Sequence, residues 1–152
     1  MEQDTDHKET ARLDLEAQAW TYAQKSGELQ HDGEPVATGY SGAGPGKNNP
    51  SMQTVHNAGP IPRGGWTILG PPVNTAEHGP YVLSLKPSPE TSTFGRSGFL
   101  IHGDSKESPG CASQGCVILQ RSVREEVWNS GDRNLDVVAE IPEPNAKETN
   151  GN

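Results

Sequence analysis

The stretch "GFLIHGDSKESPGCASQGCVIL", residues 98–119, holds His102, Cys111 and Cys116 among glycines and serines. Those residue types support three chemistries: a metal site, a disulfide, or a nucleophile with its base. A zinc site would recruit His102, Cys111 and Cys116, with His78 as a further ligand. Structural zinc sites, however, pair one close-spaced Cys couple with a second couple or with two nearby histidines, and no second couple follows here. A Cys111–Cys116 disulfide closes only a small loop, so its entropic gain falls at the low end of the usual range of about 2–4 kcal/mol. An unmodified cysteine is also commonly just a buried small apolar residue. For Cys116 the preceding "ASQG" favours a nucleophile. A cysteine attacks as thiolate, and its ordinary pKa of about 8.5 leaves few such ions at neutral pH without a base. His102, at the end of an apolar run, is the candidate base on a rigid element. Gly115 would let backbone N–H groups near Cys116 converge on an oxyanion. Asp104 has two readings, as the group orienting His102 and as a turn former after Gly103. Arg96, between Gly95 and Ser97, is a candidate to hold a substrate carboxylate through its planar fork. Arg124 reads as a solvated helix charge, and His56 and His78 as surface histidines.

The elements that must position these groups are short strands. With 18 Gly, 13 Pro and only 30% apolar residues in 152, the chain is expected to be mainly β, one compact catalytic domain with many turns. "AWTYAQKSGELQHDG" reads as strand, turn at Ser26-Gly27, strand, and a turn at Asp32-Gly33. Further strands are expected at 65–69, 80–85 and 98–102, with "LDVVAEIPEP" as a last half-buried strand. Residues 40–65 are too broken by Gly, Pro and Asn for a regular element and are expected to form a structured functional loop. One helix is expected in "RSVREEVWNSGD", with Ser122 and Glu125 as a capping box and Gly131 ending it in the left-handed conformation. The expected organisation is an acidic leader over 1–18, helical or disordered, a catalytic domain over 19–141, and a disordered tail over 142–152.

The net charge is −8, of which −4 lies in residues 1–18 and −1 in residues 142–152, leaving −3 for the body. No Lys/Arg cluster suits a phosphate backbone, so nucleic acid is not an expected partner. "GAGPGKNN" lacks the residue order of a phosphate-binding loop. No window reaches the roughly 20 apolar residues of a membrane span, and "MEQDTDHKET" lacks the basic start and apolar middle of a signal peptide. No cofactor is implied.

"IHGDSKESPGCASQGCVIL" resembles the signature of the YkuD-type L,D-transpeptidases. "GYSGAGPGKNNP", "NAGPIPRGGWTI", "GRSGFLIHGD" and "ASQGCVIL", in this order across residues 20–138, are similar to the L,D-transpeptidase effectors delivered by type VI secretion systems. The resemblance implies a β-rich fold in which Cys116 is the nucleophile and His102 the base. Ser113 and Gly115 fall on the motif's serine and glycine, and Gln114 stands where the YkuD signature has a second histidine. Tyr40, Ser41 and Gln114, within the matched blocks, are expected with Arg96 along the substrate. The implied reaction is acyl transfer on peptidoglycan stem tetrapeptides, giving L,D-carboxypeptidase action or D-amino-acid exchange. The resemblance also implies synthesis in the cytoplasm, delivery by a secretion apparatus, action in a target cell's periplasm, and a cognate immunity protein. Readings from other classes are a metal- or disulfide-stabilised cell-wall binding module without catalysis, and a toxin that sequesters wall precursor.

Overall fold

In a computed structural model, residues 19–110 and 112–142 are described. They form a single nine-stranded sheet with one α-helix, a mainly β fold as expected. In chain order the strands are β1 (Trp20–Ala23), β2 (Glu28–His31), β3 (Glu34–Thr38), β4 (Tyr40–Ser41), β5 (Gly64–Thr75), β6 (Gly79–Pro87), β7 (Leu100–His102), β8 (Val117–Ile118) and β9 (Asn134–Val138), with helix α1 at Arg121–Asn129 between the last two. Their order across the sheet is β3-β2-β1-β9-β5-β6-β7-β8-β4. The leader and nearly all of the tail lie outside the described residues, as does Cys111. No helix among the described residues is long and apolar enough to cross a membrane.

The opening meander forms as its turn residues require: Asp32 and Gly33 both take positive φ, 52° and 84°, the pair of values a two-residue hairpin turn between twisted strands demands. The expected strand at 65–69 is longer, running to Thr75 and pairing with β6 through two register irregularities. This β5–β6 hairpin carries its turn, with Glu77 and His78, beyond the sheet. Residues 40–65 are indeed structured, holding β4 and two short 3-10 turns at Gly44–Gly46 and Pro50–Met52.

The capping-box expectation is corrected. Helix α1 starts at Arg121 with Gln120 as N-cap and no side-chain capping bond, so Ser122 lies inside the first turn. The chain is pinned just upstream, where the Leu119 amide donates to the His102 carbonyl at 3.0 Å, and the helix starts two residues earlier than the capping box would place it. Gly131 does adopt a positive φ of 77° beyond the helix end.

Alternation along the strands sorts the side chains onto two faces. Trp20, Tyr22, Trp66, Ile68, Leu83, Leu85, Ile101, Val117, Leu135 and Val137 form the main core with Val123 and Val127 of α1. On the other face of β7, β8 and β4, Tyr40, Cys116 and Ile118 form a second, small cluster with Leu100 and Ala112 packed against it.

Candidate active site

The register of β7 and β8 decides how the two principal residues meet. The strands run parallel with Ile101 beside Val117 and His102 beside Ile118. Ile101 and Val117 point into the main core, so Leu100, His102, Cys116 and Ile118 project from the opposite face. Cys116 immediately precedes β8 and lies one strand over and two residues back from His102. Strand spacing and rise put the two Cβ atoms about 8 Å apart on that face.

His102 is 3% exposed. Its Nδ1 lies 2.9 Å from the Gly103 carbonyl oxygen, while Nε2 is buried without a partner. A carbonyl only accepts, so Nδ1 carries the proton and Nε2 presents a lone pair. Burial pushes the His102 pKa below the ordinary imidazole value; the Gly103 bond and Asp104 oppose this, and the positive fields of His78 and Arg124 reinforce it. Cys116 is a free, buried thiol whose Sγ lies 3.7 Å from the Gly98 carbonyl oxygen. Burial raises its pKa, with Glu77 adding to the rise and the Leu100 N–H and Arg96 opposing it. Both shifts favour the uncharged forms, thiol and imidazole, over thiolate and imidazolium.

The loop ahead of Cys116 is fixed by buried polar staples. Ser113 Oγ accepts from the Gly42 amide at 2.9 Å and the Gly115 amide at 3.1 Å and donates to the Cys116 carbonyl at 2.7 Å. Ser41 Oγ donates to the Gly115 carbonyl at 3.1 Å and accepts from the Ile61 amide at 2.8 Å. Gly115 sits at φ 135°, and a Cβ there would lie 2.5 Å from Arg96 Nη2 and 3.1 Å from the Phe99 ring. Only glycine fits. Its amide is bound to Ser113, so it is not among the donors left for an oxyanion.

An open cleft of about 1440 Å³ runs over this face, lined among others by Tyr40, His78, Arg96, His102, Gln114 and Cys116. The family model for the Tlde1 domain, type VI secretion L,D-transpeptidase effector 1, matches residues 36–141. The chain belongs to the Tlde1 domain family. Membership implies a type VI secretion effector with an L,D-transpeptidase-like role on peptidoglycan. No curated protein and no solved structure matches the chain.

The family match takes in every candidate site residue, and the structure gives several of them an architectural part. Tyr40 Oη donates to Asp104 Oδ1 at 2.7 Å and accepts from the Ala112 amide at 2.8 Å. The same carboxylate accepts from the Ser105 amide at 2.8 Å and the Gly110 amide at 3.0 Å. Burial would raise the Asp104 pKa, but these bonds, Tyr40 first, together with Lys47 hold it below the ordinary carboxylate value. Asp104 therefore organises the loop after β7, and the bond that orients His102 comes from Gly103. Arg96 is 7% exposed and donates to the carbonyls of Gln53, Pro60, Gly59 and Gln114 at 2.6–3.2 Å. Its fork braces the loop under Gly115.

Two sequence readings are corrected. Arg124 is not a solvated helix charge: it is 3% exposed and donates to the carbonyls of Leu119, Pro80 and Tyr81, because α1 packs this face against β6. His78 is not an ordinary surface histidine, since its ring centroid lies 4.5 Å from that of His102. Nothing local in "NTAEHGP" signals this; only the length of the β5–β6 hairpin brings it there. His56, by contrast, is exposed, with Nε2 3.0 Å from the Phe94 carbonyl oxygen. Among the described residues, the one group of His, Cys, Asp and Glu close enough to hold a metal is His31, Asp32 and Asp132, none of which lines this cleft.

Proposed function

We propose that the chain is a cysteine acyl-transfer enzyme acting on peptidoglycan stem tetrapeptides. The observation that carries this reading is the buried, unpartnered Nε2 of His102, held as an acceptor on the sheet face that also presents the Cys116 thiol. In the reaction, Cys116 Sγ attacks the carbonyl of the third stem residue as its proton passes to His102 Nε2. The Cys116 backbone N–H, with the Gly115 amide already bound to Ser113, is the donor proposed for the developing oxyanion. Collapse breaks the amide bond, and the departing D-Ala amine takes the proton back from Nε2, leaving a thioester on Cys116. Water then gives L,D-carboxypeptidase action, and a D-amino acid gives exchange. Burial of both groups suits this cycle, because neither is charged until the substrate arrives.

Delivery by a secretion apparatus, action in a competitor's periplasm and neutralisation by a cognate immunity protein are part of the same proposal, which the family relation supports. Mass analysis of muropeptides after incubation with the protein is expected to show tetrapeptides converted to tripeptides or exchanged products. Cys116→Ala is expected to remove all turnover with an unchanged melting temperature, and to abolish toxicity when the chain is exported to the periplasm. Turnover retained in folded Cys116→Ala protein would refute the mechanism.

A further inference from the structure

The β5–β6 hairpin brings a second histidine to the site, and its placement is fixed from several sides. The His78 amide donates to Thr75 Oγ1 at 2.8 Å, and the Tyr81 amide to Asn74 Oδ1 at 3.1 Å, so the turn has a defined backbone. Arg124 reaches from α1 to the Pro80 and Tyr81 carbonyls on the hairpin and to the Leu119 carbonyl just after β8. One buried guanidinium thus ties the hairpin to the end of the strand beside His102. The result is the His78 ring leaning on the His102 ring at 36° with centroids 4.5 Å apart. His102 Nδ1 is bonded to its neighbour's carbonyl.

We propose that His78 is a positioning residue for His102: its ring holds the imidazole in the orientation that leaves Nε2 for Cys116, and its charge opposes a second positive charge on that imidazole. The inference rests on the reading of His102 as the base. The charged and titratable groups facing this pair are Asp104 after β7, Glu77 on the hairpin, Arg124 from α1 and Cys116 before β8. Glu77 Oε1 lies 3.7 Å from His78 Nε2, but its side chain is 84% exposed, so solvent screens it. Arg124 is held by three carbonyls whatever the pH. His78 is therefore the ionisable neighbour in ring contact with His102.

The deciding measurement needs no substrate. Nitrogen-15 NMR of histidine-labelled full-length protein reads the His102 tautomer and its titration midpoint, and iodoacetamide alkylation reads Cys116. His78→Phe, which keeps a ring but no charge, is expected to retain the tautomer and to move the midpoint upward by about half a pH unit, as loss of a like-charged neighbour requires. His78→Ala is expected to give the same upward shift together with a mixture of tautomers, and to lower kcat for tetrapeptide trimming about tenfold with KM within about twofold. A His78→Ala protein with the wild-type tautomer and midpoint overturns the proposal. If that variant does not fold, an unmoved midpoint in His78→Phe overturns it alone. Absence of trimming by the wild-type protein would instead refute the catalytic reading, which the NMR titration does not depend on.

Discussion

The two ends of the sheet are built by different means. On one side of the β6–β7 boundary, β5 and β6 run for 12 and 9 residues and pack broad aromatic and aliphatic side chains. On the other side β7, β8 and β4 have 3, 2 and 2 residues, too few ladder bonds to fix a loop on their own. There, buried hydroxyls, a carboxylate and a guanidinium replace the missing strand length: Ser41, Ser113, Tyr40, Asp104 and Arg96 together make most of the bonds that locate residues 103–116. Hydrophobic packing tolerates small shifts because it has no direction, whereas a hydrogen bond loses its value over a fraction of an ångström. The long-stranded region supplies stability, and the stapled region supplies position.

That contrast is broken most forcefully from the packed side. Trp20 is fully buried in β1, distant in the sheet from β7, and Trp20→Ala is expected to cost about 3–5 kcal/mol. The pH dependence of turnover per folded molecule is expected to stay as in the wild type, checked by denaturant unfolding beside kinetics. A shifted pH profile in that variant would show the two regions to be coupled. Ser113→Ala works from the other side. It leaves the amides of Gly42 and Gly115 and the carbonyl of Cys116 without their common partner, at a stability cost of about 1–3 kcal/mol. Displacement of the Cys116 loop by even about 1 Å is expected to lower kcat on the order of a hundredfold. Turnover at wild-type rate would show that the strand ladder alone locates Cys116.

The pH profile sharpens the comparison without any substitution. Burial in the small cluster favours the neutral form of each group, so the His102 pKa falls and the Cys116 pKa rises. His102 then remains an unprotonated base below about 6.5, the ordinary imidazole value, and Cys116 remains a thiol above about 8.5, the ordinary thiol value. The acid limb of kcat/KM is expected below the first of these, and alkylation of Cys116 in the absence of substrate is expected to keep rising beyond the second. Alkylation that is already maximal at neutral pH would mean a preformed thiolate and imidazolium pair.

How far the sequence carried this picture differs between the same two regions. The meander, the final strand and the β-rich class were legible because turn residues and period-2 alternation are local signals, and Asp32-Gly33 is the clearest of them. Of the candidate site, chemistry and motif coincide at His102 and Cys116, which the fold sets on one face of the sheet. Arg124 looked solvated because helix periodicity says nothing about which face meets β6. His78 looked superficial because its role depends on how far a hairpin extends, and the expected strand at 65–69 stopped short of the observed one ending at Thr75. Arg96 looked suited to a substrate carboxylate, and its planar fork is indeed in use, on four backbone carbonyls of loops that lie far apart in sequence.

The smallest expected effect tests whether the staples act singly or as a set. Tyr40→Phe removes one hydroxyl and keeps the ring that packs in the small cluster and lies 4.3 Å from the Lys47 ammonium. It deletes the bond to Asp104 and the acceptor for the Ala112 amide, yet Asp104 keeps its bonds from Ser105 and Gly110, and Ser113 still holds the Cys116 loop. The loop between β7 and Cys116 is thereby loosened at Asp104 and Ala112 and nowhere nearer the thiol. Loss of these two bonds, roughly 1 kcal/mol each, predicts a rise in KM of at most about tenfold with kcat little changed. The Asp104 carboxylate, losing the donor that contributes most to lowering its pKa, is expected to titrate closer to the ordinary value, which carbon-13 NMR of labelled aspartate would read. A large fall in kcat instead would show that Tyr40 helps place the reacting pair itself, and that the staples form one cooperative network rather than independent ties.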